Sequence, residues 1–161
     1  MDASNPQDPM NVIHSVFQLG ILVEDLDAAK AAMKRIYGLE PVLELVCDYP
    51  RVVYKGEDID ASAHIAKYDQ FGVLLEFIQP LGDDSMWSDA LKASPNGAVL
   101  HHIRFNDVPD NDVLTAMMAE RGVALLQEGA SVVHPNCKFT FYDTEKDLGF
   151  VSEVVTDVNA K

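Results

Sequence analysis

The chain has 161 residues and 48% of them are hydrophobic, which is enough to bury a sizeable core in one compact unit. It carries 26 acidic against 12 basic residues, and this net charge of −14 argues against binding to nucleic acid or to an anionic membrane surface. No apolar run approaches the roughly 20 residues that span a bilayer, and the first residues lack the features of a secretory signal. Cys47 and Cys137 lack CxxC spacing and are expected to stay reduced. We therefore predict a cytoplasmic protein whose partner is a small molecule.

The first half of the chain predicts a strand, a helix and three further strands. Residues 1–12 are polar and are predicted to be a flexible lead-in, and the first module is predicted to span residues 13–80. An apolar run from Phe17 ends in an acidic turn, and a run with helical spacing follows it and ends at Gly38, a typical residue after a helix. Strand-like runs then lie at 41–47, 61–68 and 72–79.

The second half predicts the same order of elements. Residues 81–97 form a linker that is predicted to hold a short helix with Trp87, Ala90 and Leu91 on one face. The second module, 98–157, opens with a strand, continues with a helical run that ends at Gly122, and finishes with three strand-like runs. Those runs lie at 123–127, 138–143 and 150–155, and the segment 143–149 is predicted to be a hairpin turn.

Matched intervals show that the two halves are a repeat. Gln18 and His102 are 84 residues apart, and so are Gly38 and Gly122. One half alone, with a single open sheet, would leave an apolar face in water. The predicted fold is therefore α+β, with two βαβββ modules that form one curved, partly open, β-barrel-like cavity.

Four polar residues, Gln18, Glu76, His102 and Glu153, interrupt the apolar first and last strands of the two modules. A buried carboxylate is costly unless it is paired or binds a metal, and pseudo-symmetric packing would bring all four residues to one cavity. Nitrogen and oxygen donors without thiolates suit Zn, Ni, Co, Mn or Fe as a single divalent ion. The alternative is that these residues are hydrogen-bonded polar residues of the core.

Three segments carry a resemblance to a known family: residues 18–27, 100–105 (Leu-His-His-Ile-Arg-Phe) and 141–153. They resemble the vicinal-oxygen-chelate superfamily, and the resemblance extends over about residues 13–157. It implies paired βαβββ modules, a homodimer, and metal ligands at Gln18, Glu76, His102 and Glu153. This ligand set is similar to that of the zinc type of glyoxalase I, whereas the linker and the 100–103 run look more like methylmalonyl-CoA epimerases. The chain differs from those epimerases by having Gln in the first slot and Glu in the second.

The implied activity is metal-dependent proton transfer next to a carbonyl, with an enolate-type intermediate, on a small carboxylic acid or an acyl thioester. Glu153 is the expected base and Glu76 the second candidate. Three alternatives stay open: a lactoylglutathione-lyase-like activity, a non-catalytic small-molecule binding or resistance protein, and a metal-free isomerase that uses Glu153. No stretch of the chain matches a glutathione site.

Further residues are candidates for substrate binding. Arg104 shares a face with His102 and either anchors a substrate carboxylate or forms an internal salt bridge. Tyr142 and Lys138 lie on one face of a strand, and Tyr68 could enter the cavity, but all three would serve equally well as wall residues. His101 is expected to point to the opposite face from His102.

Overall fold

A computed structural model describes residues 11–134 and 136–157, so most of the predicted flexible lead-in, 1–12, lies outside the described residues. Each half has the predicted order of a strand, a helix and three strands, which confirms the α+β fold. None of the helices in these two ranges is long and apolar enough to cross a membrane. The first half contains β1 (Val16–Val23), α1 (Leu26–Tyr37), β2 (Leu43–Tyr54), β3 (Glu57–Tyr68) and β4 (Leu74–Pro80). Then follow α2 (Met86–Ala93), β5 (Ala98–Phe105), α3 (Asn111–Ala119), β6 (Leu125–Ala130), β7 (Cys137–Tyr142), α4 (Glu145–Leu148) and β8 (Val151–Asp157).

The eight strands form a closed barrel in the order β1-β4-β3-β2-β6-β7-β8-β5. Within each half the first and last strands are parallel, β1 with β4 and β5 with β8, and the other neighbours are antiparallel. Two antiparallel seams join the halves, β1 with β5 and β2 with β6. The β1–β5 seam places Gln18 opposite Arg104 and Gly20 opposite His102, so the predicted site residues of both halves meet at one seam.

Helix boundaries follow the expected local chemistry. Asp25 is extended and its side chain accepts a hydrogen bond from the amide of Ala28, which caps the start of α1. Gly38 ends α1 with φ 71°, the left-handed conformation that glycine adopts at low cost. In the linker, Ser85 and Ser88 form a reciprocal capping box at the start of α2. The predicted linker helix is therefore present, although the module limits at residues 80 and 98 stay a prediction.

The barrel has an inner core and two outer ones. Inside, strand residues such as Ile65 and Phe141 pack with Met86, Trp87 and Leu91 of α2, so this helix covers part of the interior. On the outside, α1 and α3 each cover one half of the barrel with a separate cluster. The cluster under α1 is built on Leu26, Met33 and Tyr68, and the cluster under α3 on Leu114, Tyr142 and Val154.

Two segments differ from the prediction. The segment 143–149, predicted as a hairpin turn, contains α4, which ends at Gly149 with φ 78°. Strands β2 and β3 are longer than predicted and form a hairpin around Lys55 and Gly56, both with positive φ. The extra length has a use, because residues 52–54 pair with 127–129 of β6 and complete the second seam.

Candidate active site

A small cavity that opens to solvent lies inside the barrel. One part of its wall is polar and comes from β1, β3, β4, β5 and β8. The other part is aromatic and comes from β2, α2 and β7, where the rings stack edge-on or tilted at centroid distances of 5.4–6.3 Å. The polar residues from these strands are Gln18, Lys67, Glu76, Arg104 and Glu153, and Ser131 and His134 also line the cavity. The aromatic residues are Tyr49, Trp87, Phe139 and Phe141.

On one side of the polar wall, Glu76 is held by two donors. Gln18 Nε2 donates to Glu76 Oε2 at 2.6 Å, and Lys67 Nζ lies 2.9 Å from Glu76 Oε1. All three side chains are buried, and register places Lys67 directly beside Glu76 on the neighbouring strand. A buried ion pair of this kind is costly to break on one side only. Both oxygens of Glu76 are therefore engaged, whereas Gln18 Oε1 has no partner among the described residues.

On the other side, Glu153 lines the cavity and faces His102, which lies behind it and is not among the lining residues. His102 Nε2 lies 3.4 Å from Glu153 Oε2 but without the geometry of a hydrogen bond, so both atoms lack a hydrogen-bond partner within the described chain. His102 is fully buried and Glu153 is 6% exposed. Unsatisfied buried polar atoms are uncommon in folded proteins, and a water molecule, a ligand or an ion between these two side chains would satisfy both.

The imidazole ring of His102 occupies the space above Gly20. A Cβ atom added at Gly20 would overlap the His102 ring, so only glycine at this position leaves room for the ring. The ring also packs edge-on against Phe141 at a centroid distance of 5.1 Å. Gly20 and Phe141 thus fix the position of the His102 ring by steric contact.

Burial controls the protonation of this side of the wall. It lowers the pKa of His102 to about 3, with Arg104 and Lys67 adding to the effect, so the ring is neutral at pH 7. It raises the pKa of Glu153 to about 8, although the charge of Arg104 acts in the opposite direction. A carboxyl with such a pKa, lining a cavity, is typical of a site that handles protons.

The match to a protein family covers most of the chain. The model of the Glyoxalase/Bleomycin resistance protein/Dioxygenase superfamily matches residues 17–141. The chain belongs to this superfamily. The match includes Gln18, Glu76, His102 and the strands that carry them, which confirms the resemblance seen in the sequence.

Solved structures with the same fold include several methylmalonyl-CoA epimerases. The epimerase of Mycobacterium tuberculosis has a TM-score of 0.62 and 18% identity, over 90% of this chain and 89% of that one. A variant from Streptomyces coelicolor, in complex with 2-nitronate-propionyl-CoA, has a TM-score of 0.63 and 21% identity over 92% and 98%. An epimerase in complex with methylmalonyl-CoA and NH4+ gives the same values. These identities show a shared fold. No curated protein sequence matches the chain.

The donor chemistry of the site suits the divalent ion that the superfamily resemblance implies, and three partnerless atoms lie on three of the four predicted ligands. Gln18 Oε1, Glu153 Oε2 and His102 Nε2, once it carries a lone pair, are donors that such ions accept. The fourth ligand, Glu76, is tied to Lys67 and Gln18. Within residues 11–134 and 136–157, no three His, Cys, Asp or Glu side chains lie close enough together to hold an ion. Ion binding by all four would therefore require these side chains to move closer together, and Glu76 is at present held by Lys67 and Gln18.

Arg104 lines the cavity, and its guanidinium group also binds Asp107, which does not line the cavity. Arg104 Nη2 donates to Asp107 at 2.8 Å, and the guanidinium stacks 4.5 Å from the ring centroid of Phe17. Neither Glu76 nor Glu153, the partners considered from the sequence, forms an ion pair with it among the described contacts. Its Nε is buried without a partner in the described chain, so one charge-assisted donor remains for a ligand.

Tyr142, Lys138 and Tyr68 lie outside the cavity, on the outer face of the barrel. Tyr142 is buried under α3, where its hydroxyl is 3.0 Å from Thr115 Oγ1. Lys138 pairs with Glu128 at 3.0 Å, and Tyr68 packs under α1. Alternation along a strand explains the difference, because the inward residues of β3 and β7 are the immediate neighbours Lys67, Phe139 and Phe141.

Lys67 and the aromatic wall were not predicted from the sequence. Lys67 ends the inward series Ala61, Ala63 and Ile65 in β3, so strict alternation from the apolar residues would have placed it in the cavity. Its buried ammonium is the natural partner of Glu76. Tyr49 continues the inward series of Leu45 and Cys47 in β2, but it lies beyond the predicted strand 41–47 and was therefore not placed in the cavity.

Proposed function

We propose that the protein is an isomerase or epimerase that moves a proton next to a carbonyl group of a small carboxylic acid or an acyl thioester, with a divalent ion as cofactor. The observation that carries the proposal is the presence of two buried carboxylates, Glu76 and Glu153, in one cavity beside His102. The fold shared with methylmalonyl-CoA epimerases supports the reaction type.

Gln18, Glu76, His102 and Glu153 would hold the ion. When bound, it would act as a Lewis acid that stabilises negative charge on substrate oxygens next to the carbon that loses the proton. The aromatic wall of the cavity would pack against the apolar part of the substrate. Arg104 Nε offers a donor for a substrate carboxylate.

Glu153 is the better candidate for the base. Its Oε2 has no hydrogen-bond partner among the described residues, so Glu153 can take and return a proton without breaking a contact within the described chain. With the ion bound, that oxygen would have to leave the ion before it acts as the base. Glu76 is the second candidate, but Lys67 and Gln18 stabilise its charged form and would have to move first. Glu153→Gln should therefore lower the rate of proton transfer by about 10²–10⁴-fold, the usual contribution of a positioned acid or base.

Incorporation of solvent deuterium tests this proposal. Methylmalonyl-CoA, and separately the hemithioacetal of methylglyoxal and glutathione, would be incubated with the protein in D2O, and exchange at the carbon next to the carbonyl would be measured by mass spectrometry. Exchange that is lost in Glu153→Gln and after metal chelation supports the proposal. Exchange only with the hemithioacetal would favour the lyase-like alternative, and absence of exchange with either compound would favour a binding protein.

One observation favours a second candidate, a metal-free isomerase. The positive charge of Lys67 Nζ already lies beside Glu76 Oε1, whereas an ion would need a free carboxylate there. In that case Glu153 alone would transfer the proton, and Lys67 and Arg104 would stabilise the negative charge of the intermediate. Exchange that persists in the presence of chelator but is lost in Glu153→Gln would identify this mechanism.

A further inference from the structure

We infer that His101 is a positioning residue that fixes the tautomer of His102, so that the lone pair of His102 Nε2 faces Glu153 and the cavity. The inference deepens the proposed function, on which it rests for the use of that lone pair.

The two histidine rings contact each other through like nitrogens. Nδ1 of His101 lies 3.0 Å from Nδ1 of His102, and the rings are perpendicular at a centroid distance of 5.3 Å. His101 is 3% exposed and His102 fully buried. A hydrogen bond between two imidazole Nδ1 atoms needs a proton on one of them and a lone pair on the other. The pair therefore has two arrangements, and each one sets the state of His102 Nε2.

The surroundings of His102 Nε2 distinguish these arrangements. If His101 donates to His102, Nε2 of His102 carries a proton, and this buried N–H has no acceptor in hydrogen-bond geometry, since Glu153 Oε2 is 3.4 Å away and poorly aligned. If His102 donates to His101, Nε2 carries only a lone pair. Orphaned buried N–H groups are rarer in folded proteins than unused acceptors. The second arrangement therefore has the lower cost, and it leaves the Nε2 lone pair able to bind an ion or to accept a hydrogen bond.

A break in the strand register brings the two rings together. Gly20 pairs with His102 while the next residue, Ile21, pairs with Leu100, so His101 is an extra residue in β5. Such a bulge redirects a side chain that strict alternation would send to the other face. The bulge turns the side chain of His101 toward His102. The space above Gly20 keeps the His102 ring in position. His101 thus acts as an outer partner that orients a site histidine, a role known to affect ligand basicity.

Nitrogen-15 NMR of the histidine rings tests the inference on the metal-free full-length protein. Long-range proton–nitrogen correlations report directly which ring nitrogen carries the proton, and His102→Gln assigns the His102 signals. The expected result is a proton on Nδ1 and a lone pair on Nε2 of His102. A proton on Nε2 of His102 in the unaltered protein would overturn the inference, whatever the variants do.

A matched pair of variants separates positioning from packing. His101→Asn keeps an acceptor oxygen near the place of Nδ1, and His101→Leu is of similar size but offers none. We expect the His102 tautomer to be preserved in His101→Asn and lost or mixed in His101→Leu. An unchanged tautomer in a folded His101→Leu protein would contradict the inference.

Zinc affinity gives a second readout. His101→Leu should weaken it by about 10- to 100-fold, and His101→Asn should restore most of the loss. If the unaltered protein binds no ion, the proposed metal-dependent function fails, while the NMR result on His102 still stands. The two failures are therefore distinguishable, because the tautomer is measured without metal and without substrate.

Discussion

At the scale of single residues, a few positions determine the shape and the charge of the cavity wall. Gly20 leaves the space that the His102 ring occupies, and Lys67 supplies the positive charge that Glu76 needs in the interior. Each position therefore offers a substitution whose effect follows from one contact.

Gly20→Ala should displace the His102 ring, because the added methyl group overlaps it. Overpacking of this kind costs about 1–3 kcal/mol of unfolding free energy, and ion affinity should fall with it. Urea denaturation and zinc titration measure the two effects. Gly82→Ala is the matched control, since an added Cβ there meets nothing within 4 Å. If Gly20→Ala and Gly82→Ala have the same unfolding free energy and the same zinc affinity, the His102 ring does not depend on the space at Gly20.

Lys67→Met should destabilise the protein by about 3–5 kcal/mol, because it leaves the buried charge of Glu76 without its partner. The double substitution Lys67→Met with Glu76→Leu should recover most of that loss, since removal of both charges is often neutral. Urea denaturation of the metal-free variants measures this difference. A double variant as unstable as the single one would show that the pair is not a coupled ion pair.

The cavity residues were predictable where strands alternate regularly and unpredictable elsewhere. Gln18, Glu76 and Glu153 face the cavity as the pattern in β1, β4 and β8 indicates. Tyr68 was one position away from the inward residue, Lys67, and side chains at odd and even positions of a strand face opposite sides. His101 was expected on the opposite face, and only the bulge in β5 turns it toward His102.

At the scale of elements, α2 links the two halves and covers part of the cavity. The amide of Met86 at its start donates to Gln127 of β6, and Trp87 forms part of the aromatic wall. The linker composition predicted this helix but not its contact with the interior. The length of the β2–β3 hairpin was underestimated, because the polar run from Glu57 to Asp60 conceals the strand pattern at its tip.

Ser85→Ala should lower the stability of the protein by about 1 kcal/mol, because it removes the N-cap of α2. Ser85→Thr keeps a hydroxyl and should remain close to the unaltered protein. Trp87 is the only tryptophan in the chain, so its fluorescence reports the unfolding of this region directly. An unchanged unfolding midpoint in Ser85→Ala would show that the capping box contributes nothing.

At the scale of the whole molecule, stability should depend on pH through Glu153. Its pKa in the folded protein is raised from 4.5 to about 8 by burial, so the folded state holds this proton more tightly than the unfolded state. The stabilising effect is present at low pH and is lost as the pH rises toward 8. Between pH 6.5 and 8 the metal-free protein should lose on the order of 1–2 kcal/mol.

Glu153→Gln should remove this loss, because the amide does not titrate in that range. His101 and His102, whose pKa values are lowered to about 3, act only below pH 6.5, where stability should fall as the pH decreases. Urea denaturation at several pH values measures both. The same pH dependence above 6.5 in both proteins would contradict the assignment to Glu153.

The repeat in the sequence predicted the fold of the whole molecule, whereas the closure of the barrel depends on pairings between distant strands. The β1–β5 seam follows from matching the two halves, but the β2–β6 seam arises from residues near the tip of a hairpin. A homodimer and a cytoplasmic location stay predictions, the first from the resemblance and the second from the sequence.

Calorimetric titration of the metal-free protein with divalent ions tests the proposed site most directly. Zinc, nickel, cobalt and manganese would be compared on the unaltered protein, on His102→Ala and on Glu153→Gln. We predict about one ion per chain for at least one of these metals, with affinity lost or strongly weakened in both variants. Absence of binding with all four metals, or equal binding by His102→Ala, would contradict the proposed metal centre.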